Sequence, residues 1–125
     1  MKIGIALLLL CLLLSACAKE KQEAIYMNIT PQEAKEIMDT QQGYVILDVR
    51  TQEEFDEKHI PGAILIPNDE IAQLAQTQLP DKNQLILVYC RSGRRSKLAA
   101  QELVELGYTN IMEFGGIIDW PYETE

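Results

Sequence analysis

Apolar residues along the chain fall into short continuous runs, separated by polar segments whose few apolar residues recur at helical spacing. Tyr44–Val49 is an apolar run with a single acid. It does not alternate with polar residues, so it reads as a strand buried on both faces, as in a parallel sheet. Ala63–Ile66 and Leu85–Tyr89 read the same way, with Ile25–Ile29 and Asn110–Phe114 as weaker, shorter strands. Helices fill the intervals. Thr30-Pro31-Gln32-Glu33 combines a capping residue, a proline suited to the first helical position and a capping box, and Ala34, Ile37 and Met38 then share one face before Gln42-Gly43 ends the helix. Thr51 and Glu54 form a second box opening a short helix that His59-Ile60-Pro61-Gly62 breaks. Pro67-Asn68 lead into a third helix with Ile71, Leu74 and Ala75 on one face, and Pro80–Asn83 is a turn cluster. A fourth helix runs over Lys97–Leu106 and stops at Gly107. Strand and helix alternate throughout, which predicts an α/β layered domain with a parallel sheet and no internal repeat.

The first apolar run has another meaning. Met1-Lys2, the run Ile3–Leu14 and the small residues after it have the form of a secretory signal, and the run is short of the roughly 20 apolar residues that span a bilayer. Leu14-Ser15-Ala16-Cys17 resembles the bacterial lipobox, which implies cleavage before Cys17 and lipidation of that cysteine. The expected organisation is a signal peptide over residues 1–16, a lipidated tether over 17–25 and one domain over 26–122. The chain is then exported and lipid-anchored at the cell envelope, on the periplasmic side. Ala18 lacks the acid that would retain such a protein at an inner membrane, which points to the outer membrane in a Gram-negative cell.

Charge and cysteine usage narrow the picture further. The formal charge is −8, and removing residues 1–16 takes away Lys2 and no acid. Such a balance argues against nucleic-acid binding and leaves membrane contact to the acyl anchor. A monomer is expected. Of three cysteines, Cys11 falls in the signal and Cys17 at the lipid, so Cys90 is the one free thiol of the exported domain. It has neither a disulfide partner nor enough companions for a metal site, and no metal or cofactor is expected.

Cys90 stands at the chemical centre of the sequence. It ends the Leu85–Tyr89 strand and opens the loop Cys90-Arg91-Ser92-Gly93-Arg94-Arg95-Ser96 ahead of a helix. In an open parallel sheet ligands bind at the carboxyl ends of strands. Free N–H groups and the dipole of the following helix favour an anion there, and Gly93 lets successive N–H groups turn inward as a nest. Arg91, Arg94, Arg95 and Lys97 add positive charge, with no acid between residues 90 and 101. These effects act together to favour a Cys90 thiolate and to hold an oxyanion beside it, which predicts a nucleophilic cysteine acting on an anionic substrate. A plainly structural reading makes Cys90 an inert buried thiol and the arginines a solvated face. It leaves the crowding of three arginines around one glycine unexplained.

The loop resembles the active-site loop of the rhodanese (sulfurtransferase) family. Leu47-Asp48-Val49-Arg50, Glu53-Glu54-Phe55, His59-Ile60-Pro61-Gly62-Ala63 and Ile66-Pro67 resemble its upstream signature, and Gly115-Gly116-Ile117 with Trp120 its closing one. The resemblance implies a three-layer domain with a central, mostly parallel sheet flanked by helices. It also implies a reaction. Cys90 attacks the outer sulfur of a donor such as thiosulfate, sulfite leaves, and a thiol or cyanide takes the sulfur from a Cys90 persulfide. Backbone N–H groups of residues 91–95 would cradle that persulfide. Arg91 and Arg95 are the expected ligands of the sulfonate end, with Arg94 the weaker choice, and Ser92 and Ser96 can donate hydroxyl hydrogen bonds. Ser96 reads equally as a helix cap. His59 is expected to be structural, Asp48 and Arg50 a scaffold charge pair with Arg50 the one that could reach substrate, and Trp120 and Gly115-Gly116 to pack against the loop's support.

Rival readings remain. A phosphatase of the related fold uses Cys-x5-Arg, but the sixth residue after Cys90 is Ser96, and Arg95 falls one short. A shorter loop suits a single sulfur rather than a tetrahedral oxyanion wrapped round the cysteine. An oxyanion reductase of that fold is a related alternative. A membrane-tethered persulfide carrier without efficient turnover needs the same loop as an enzyme.

Overall fold

The computed structural model describes residues 25–125, and there each apolar run has become a strand of one sheet. The signal over 1–16, the lipidation site at Cys17 and all but the last residue of the tether lie outside the described residues. In chain order the elements are β1 (Met27–Asn28), α1 (Pro31–Thr40), β2 (Val45–Asp48), α2 (Gln52–Glu57), β3 (Ile64–Leu65), α3 (Ile71–Gln78), β4 (Ile86–Cys90), α4 (Arg94–Glu105) and β5 (Ile111–Gly116). Short 3-10 turns at Asn68–Glu70 and Ile117–Asp119 precede α3 and follow β5. The order across the sheet is β1-β5-β4-β2-β3, and every pairing is parallel.

The central strands lack alternation because both their faces are covered. Leu47 and Val49 of the β2 segment and Ile86, Val88 and Cys90 of β4 face one core, closed by Ile71 and Ala75 of α3 and Ala99, Ala100 and Leu103 of α4. Ile46, Leu87, Tyr89 and Phe114 face the other, closed by Ala34 of α1 and by Ile117 and Trp120. Helices on both faces make three layers. Each fully buried large apolar side chain contributes roughly 1.5–3 kcal/mol of transfer free energy, and both layers anchor β4 by alternate residues.

The local signals operate as physical chemistry requires. Thr30 and Thr51 accept from the N3 amides of Glu33 and Glu54, whose carboxylates accept from the cap amides in return. At the end of α4, Gly107 N–H bonds to Val104 O and Tyr108 N–H to Leu103 O, the paired closure of a Schellman end.

One irregularity bears on the site. From Val88 to Cys90 β4 advances two residues, while its partner β5 advances three, from Glu113 to Gly116. The extra residue is a β-bulge on β5 beside Cys90, with Gly115 at φ +90°. Bulges of this kind redirect side chains at strand ends.

Candidate active site

Cys90 is the last residue of the central strand β4, at its carboxyl end. A three-residue turn, Arg91-Ser92-Gly93, joins it to α4. Apolar spacing starts this helix at Lys97, but it begins at Arg94. Gly93 ends the turn in a left-handed conformation, φ +107°, leaving the residues after it free to coil at once. Arg94, Arg95 and Ser96 therefore occupy the first helical turn rather than the loop.

Cys90 is 1% exposed. Its Sγ accepts the Gly93 N–H at 3.0 Å, and its S–H donates to Ser96 Oγ at 3.3 Å. The positive end of the α4 dipole lies immediately beyond. The sulfur thus sits in a cradle of one turn. Behind it the loop rests on Gly116. A β-carbon there would lie 2.0 Å from Arg91 O and 2.5 Å from Ser92 Cα, so the loop and β5 meet backbone to backbone. Ile118 N–H donates to the same Arg91 oxygen at 3.2 Å.

The arginines divide. Arg91 and Arg94 are exposed, as is Ser92. Arg94 and Lys97 line an open groove with Ser92 and Gly93, so the residue with the weaker expectation stands beside the cradle. Arg95, an expected ligand of the sulfonate, has both terminal nitrogens of its fork on Glu54, Nη1 to Oε1 at 2.6 Å and Nη2 to Oε2 at 2.9 Å. From the second position of α4 the side chain reaches α2, 41 residues away in sequence, where a bidentate pair of opposite charges forms. The Arg95 hydrogen bond, with Thr51 in support and against some desolvation, holds the Glu54 carboxyl down at about 2.

Of the two readings of Ser96, a hydroxyl donor and a helix cap, the structure shows the donor. Gly93 is the N-cap of α4 and makes no side-chain cap bond, and Ser96 lies three residues further on. Ser96 is fully buried, and its hydroxyl donates to Glu113 Oε1 at 2.7 Å, shorter than its approaches to Gly93 O and Gly115 O. It therefore lies beneath the sulfur and faces away from solvent.

Glu113 was missed by sequence reasoning, although an acid within the otherwise apolar Ile111-Met112-Glu113-Phe114 was an available signal. It is fully buried and accepts from Asn28 Nδ2 at 2.9 Å, Ser96 Oγ at 2.7 Å and its own bulge's Gly115 N–H at 2.8 Å.

The remaining candidates are scaffold. Arg50 pairs with Asp48 through Nε and Nη2 at 2.7–3.0 Å, and both are almost wholly buried, as expected of a scaffold charge pair. Tyr89 Oη donates to Asp48 Oδ2 at 2.6 Å and accepts Ile60 N–H at 3.1 Å; burial first, then Asp48, pushes its phenol well up. His59 stacks on Phe55, its Nδ1 lies 2.8 Å from Phe55 O, and a two-way backbone bridge ties it to Glu125. Trp120 packs on Phe114 and Tyr122. Among the described residues no group of His, Cys, Asp and Glu is arranged to hold a metal ion.

Comparison with known proteins agrees with this geometry. The family model "Rhodanese-like domain" matches residues 30–121. The chain is 42% identical over 73 residues to the Escherichia coli thiosulfate sulfurtransferase PspE, covering 58% of this chain and 70% of that protein. It is 36% identical over 96 residues to the Haemophilus influenzae thiosulfate sulfurtransferase GlpE, covering 76% and 88%. A solved rhodanese with anions from E. coli superposes with a TM-score of 0.62 at 38% identity, over 66% of this chain and 96% of the other. A parallel sheet with a cysteine cradled at its carboxyl edge, and a family match spanning nearly the whole described domain, make this chain a member of the rhodanese-like family.

Proposed function

We propose that this rhodanese-type sulfurtransferase moves sulfane sulfur from thiosulfate, or a donor of the same chemistry, to a thiol by way of a persulfide on Cys90. The observation that carries the reading is the cradle itself. Sγ sits at the carboxyl end of the central strand with the Gly93 N–H at 3.0 Å, in a turn of three residues. The Cys90 thiolate attacks the outer sulfur of thiosulfate. The S–S bond breaks, its electron pair leaves with sulfite, and a Cys90 persulfide anion remains. An acceptor thiolate then takes the terminal sulfur and returns Cys90 as thiolate. The burial of Cys90 favours this over phosphoryl chemistry, because a single outer sulfur can be delivered to the cradle, whereas a phosphate must bring its whole oxygen shell. Arg91 and Arg94 are the guanidinium groups left to meet the sulfonate, since Arg95 is engaged with Glu54. The relatives named for thiosulfate support this choice of donor.

The reading places the domain outside the cytoplasm, held at the envelope by a lipid on Cys17 after loss of residues 1–16. Its support is the Leu14-Ser15-Ala16-Cys17 motif at the end of a short apolar run.

The test is thiocyanate formation from thiosulfate and cyanide, with Cys90→Ser as control. Turnover abolished by Cys90→Ser is the expected result. Hydrolysis of an aryl phosphate without thiocyanate would overturn the assignment. A single loading of one sulfur per chain, followed by a stall, would make the protein a carrier instead.

A further inference from the structure

Glu113 is a buried acid that the reaction above does not use. It is fully buried on the core face of β5 that Cys90 shares, and among the described residues no cation pairs with it. Its three partners, Asn28 Nδ2, Ser96 Oγ and Gly115 N–H, are all donors, which is how an ionised carboxylate is satisfied. Burying such a group without a counter-ion is costly, and three hydrogen bonds offset that only in part. The charges nearby are committed elsewhere or lie outside. Arg95 on α4 is held by Glu54, Arg50 just after β2 by Asp48, and Arg91, Arg94 and Lys97 are exposed. A bulge-closing role alone would be served as well by a neutral side chain.

The bonds form a directed chain. Ser96 has one proton and gives it to Glu113 at 2.7 Å, and its lone pair receives the Cys90 S–H at 3.3 Å. From this arrangement we infer that Glu113 takes the proton of Cys90 through the hydroxyl of Ser96. The Cys90 proton passes to Ser96 Oγ as the Ser96 proton passes to Glu113 Oε1. The products are a Cys90 thiolate, a Ser96 hydroxyl now donating to it and a neutral Glu113 donating to Ser96. Charge is conserved, no water is needed, and Gly93 N–H already points at the sulfur that becomes negative. Delivery of the thiolate to the donor's outer sulfur then proceeds as above. Glu113 is in this sense a positioning residue, acting on sulfur through Ser96, and the inference rests on Cys90 being the nucleophile.

A pair sharing one proton has a signature that a structural staple lacks. Across the range in which the pair holds a single proton, the thiolate fraction does not change with pH. The experiment follows alkylation of Cys90 in the purified full chain by iodoacetamide between pH 5 and 9, read by mass spectrometry on the Cys90 peptide so that Cys11 and Cys17 do not interfere. Wild type should show a shallow plateau in the acidic half of the range. Glu113→Gln keeps an acceptor for Ser96 and Gly115 but cannot take the proton, so its rate should rise about tenfold per pH unit and fall about tenfold or more below wild type at pH 6. Glu113→Asp should recover part of the plateau. Ser96→Ala cuts the chain while leaving the acid, and should also lose the plateau, which keeps the test valid if Glu113→Gln does not fold. Parallel profiles for wild type and variants, or faster alkylation in Glu113→Gln, would overturn the relay. Thiocyanate formation is measured separately: a plateau without sulfur transfer would sink the proposed function and leave the relay standing, and sulfur transfer without a plateau the reverse.

Discussion

Gly116→Ala is the sharpest probe of how the fold holds the loop. Gly116 has φ −130° and ψ 156°, extended backbone that alanine adopts without strain, so the only perturbation is one methyl group. That methyl would stand 2.0 Å from Arg91 O, 2.3 Å from Arg91 C and 2.5 Å from Ser92 Cα. Ordinary contact begins near 3.4 Å, so the loop and β5 must separate by about 1.4 Å at the first of these atoms. All three obstacles are backbone, and no side chain can swing aside. The same movement pulls Arg91 O from Ile118 N–H, a hydrogen bond worth about 1 kcal/mol. With overpacking at about 1–3 kcal/mol, the expected destabilisation is about 2–4 kcal/mol in urea unfolding. The turn that positions Gly93 N–H against the sulfur moves with it, and a displacement near 1 Å costs a reaction about 10²-fold. Thiocyanate formation should therefore fall about 10²-fold under conditions where the variant is still folded. Gly62→Ala is the control. Gly62 has φ +83° with nothing within 4 Å of a β-carbon, so it should lose about 1–2 kcal/mol through backbone strain and keep its transfer rate. A folded Gly116→Ala with wild-type transfer would refute the claim that the Gly116–Arg91 contact positions the loop.

Other outcomes follow from the same contacts. Glu54→Gln should lose about 1–2 kcal/mol at neutral pH, after allowance for partial exposure of the pair. The Glu54 carboxyl is at about 2 when folded against 4.5 ordinarily, so its contribution is complete above pH 4.5 and fades as the pH falls toward 2. The stability gap between wild type and Glu54→Gln should accordingly close over that window, as urea midpoints at several pH values would show. Tyr89→Phe leaves the buried Ile60 N–H without its acceptor, while Asp48 Oδ2 keeps Arg50, and should cost about 1–3 kcal/mol in the same assay. Cys17→Ala should move the protein from the detergent to the aqueous phase on Triton X-114 partition of expressing cells, with thiocyanate formation unchanged; retention in the detergent phase would remove the case for a lipid anchor.

Much of the fold was legible along the chain because its causes are local. Tyr44–Val49 and Leu85–Tyr89 are unbroken apolar runs, and a strand covered on both faces needs nothing else to declare itself. Thr30 with Glu33, and Thr51 with Glu54, cap helices within four residues. The loop from Cys90 was equally visible, since cysteine, glycine and arginines at one strand end carry their chemistry in their identity and order. What stayed hidden depends on residues far apart in sequence. Arg95 looks free until α2 brings Glu54 within 2.6 Å, and Ser96 looks like a cap until α4 starts three residues early and turns it inward. Glu113 acquires meaning only from a one-residue bulge on β5, which sets its carboxylate beneath the loop. The residue types and their spacing thus determined by themselves that this would be a parallel α/β domain with a cysteine at a strand end. Which arginine is tied to Glu54, and which buried acid lies behind the sulfur, were decided by tertiary structure, because hydrogen bonds and ion pairs are settled by distances of a few ångströms that only the packed sheet and helices establish.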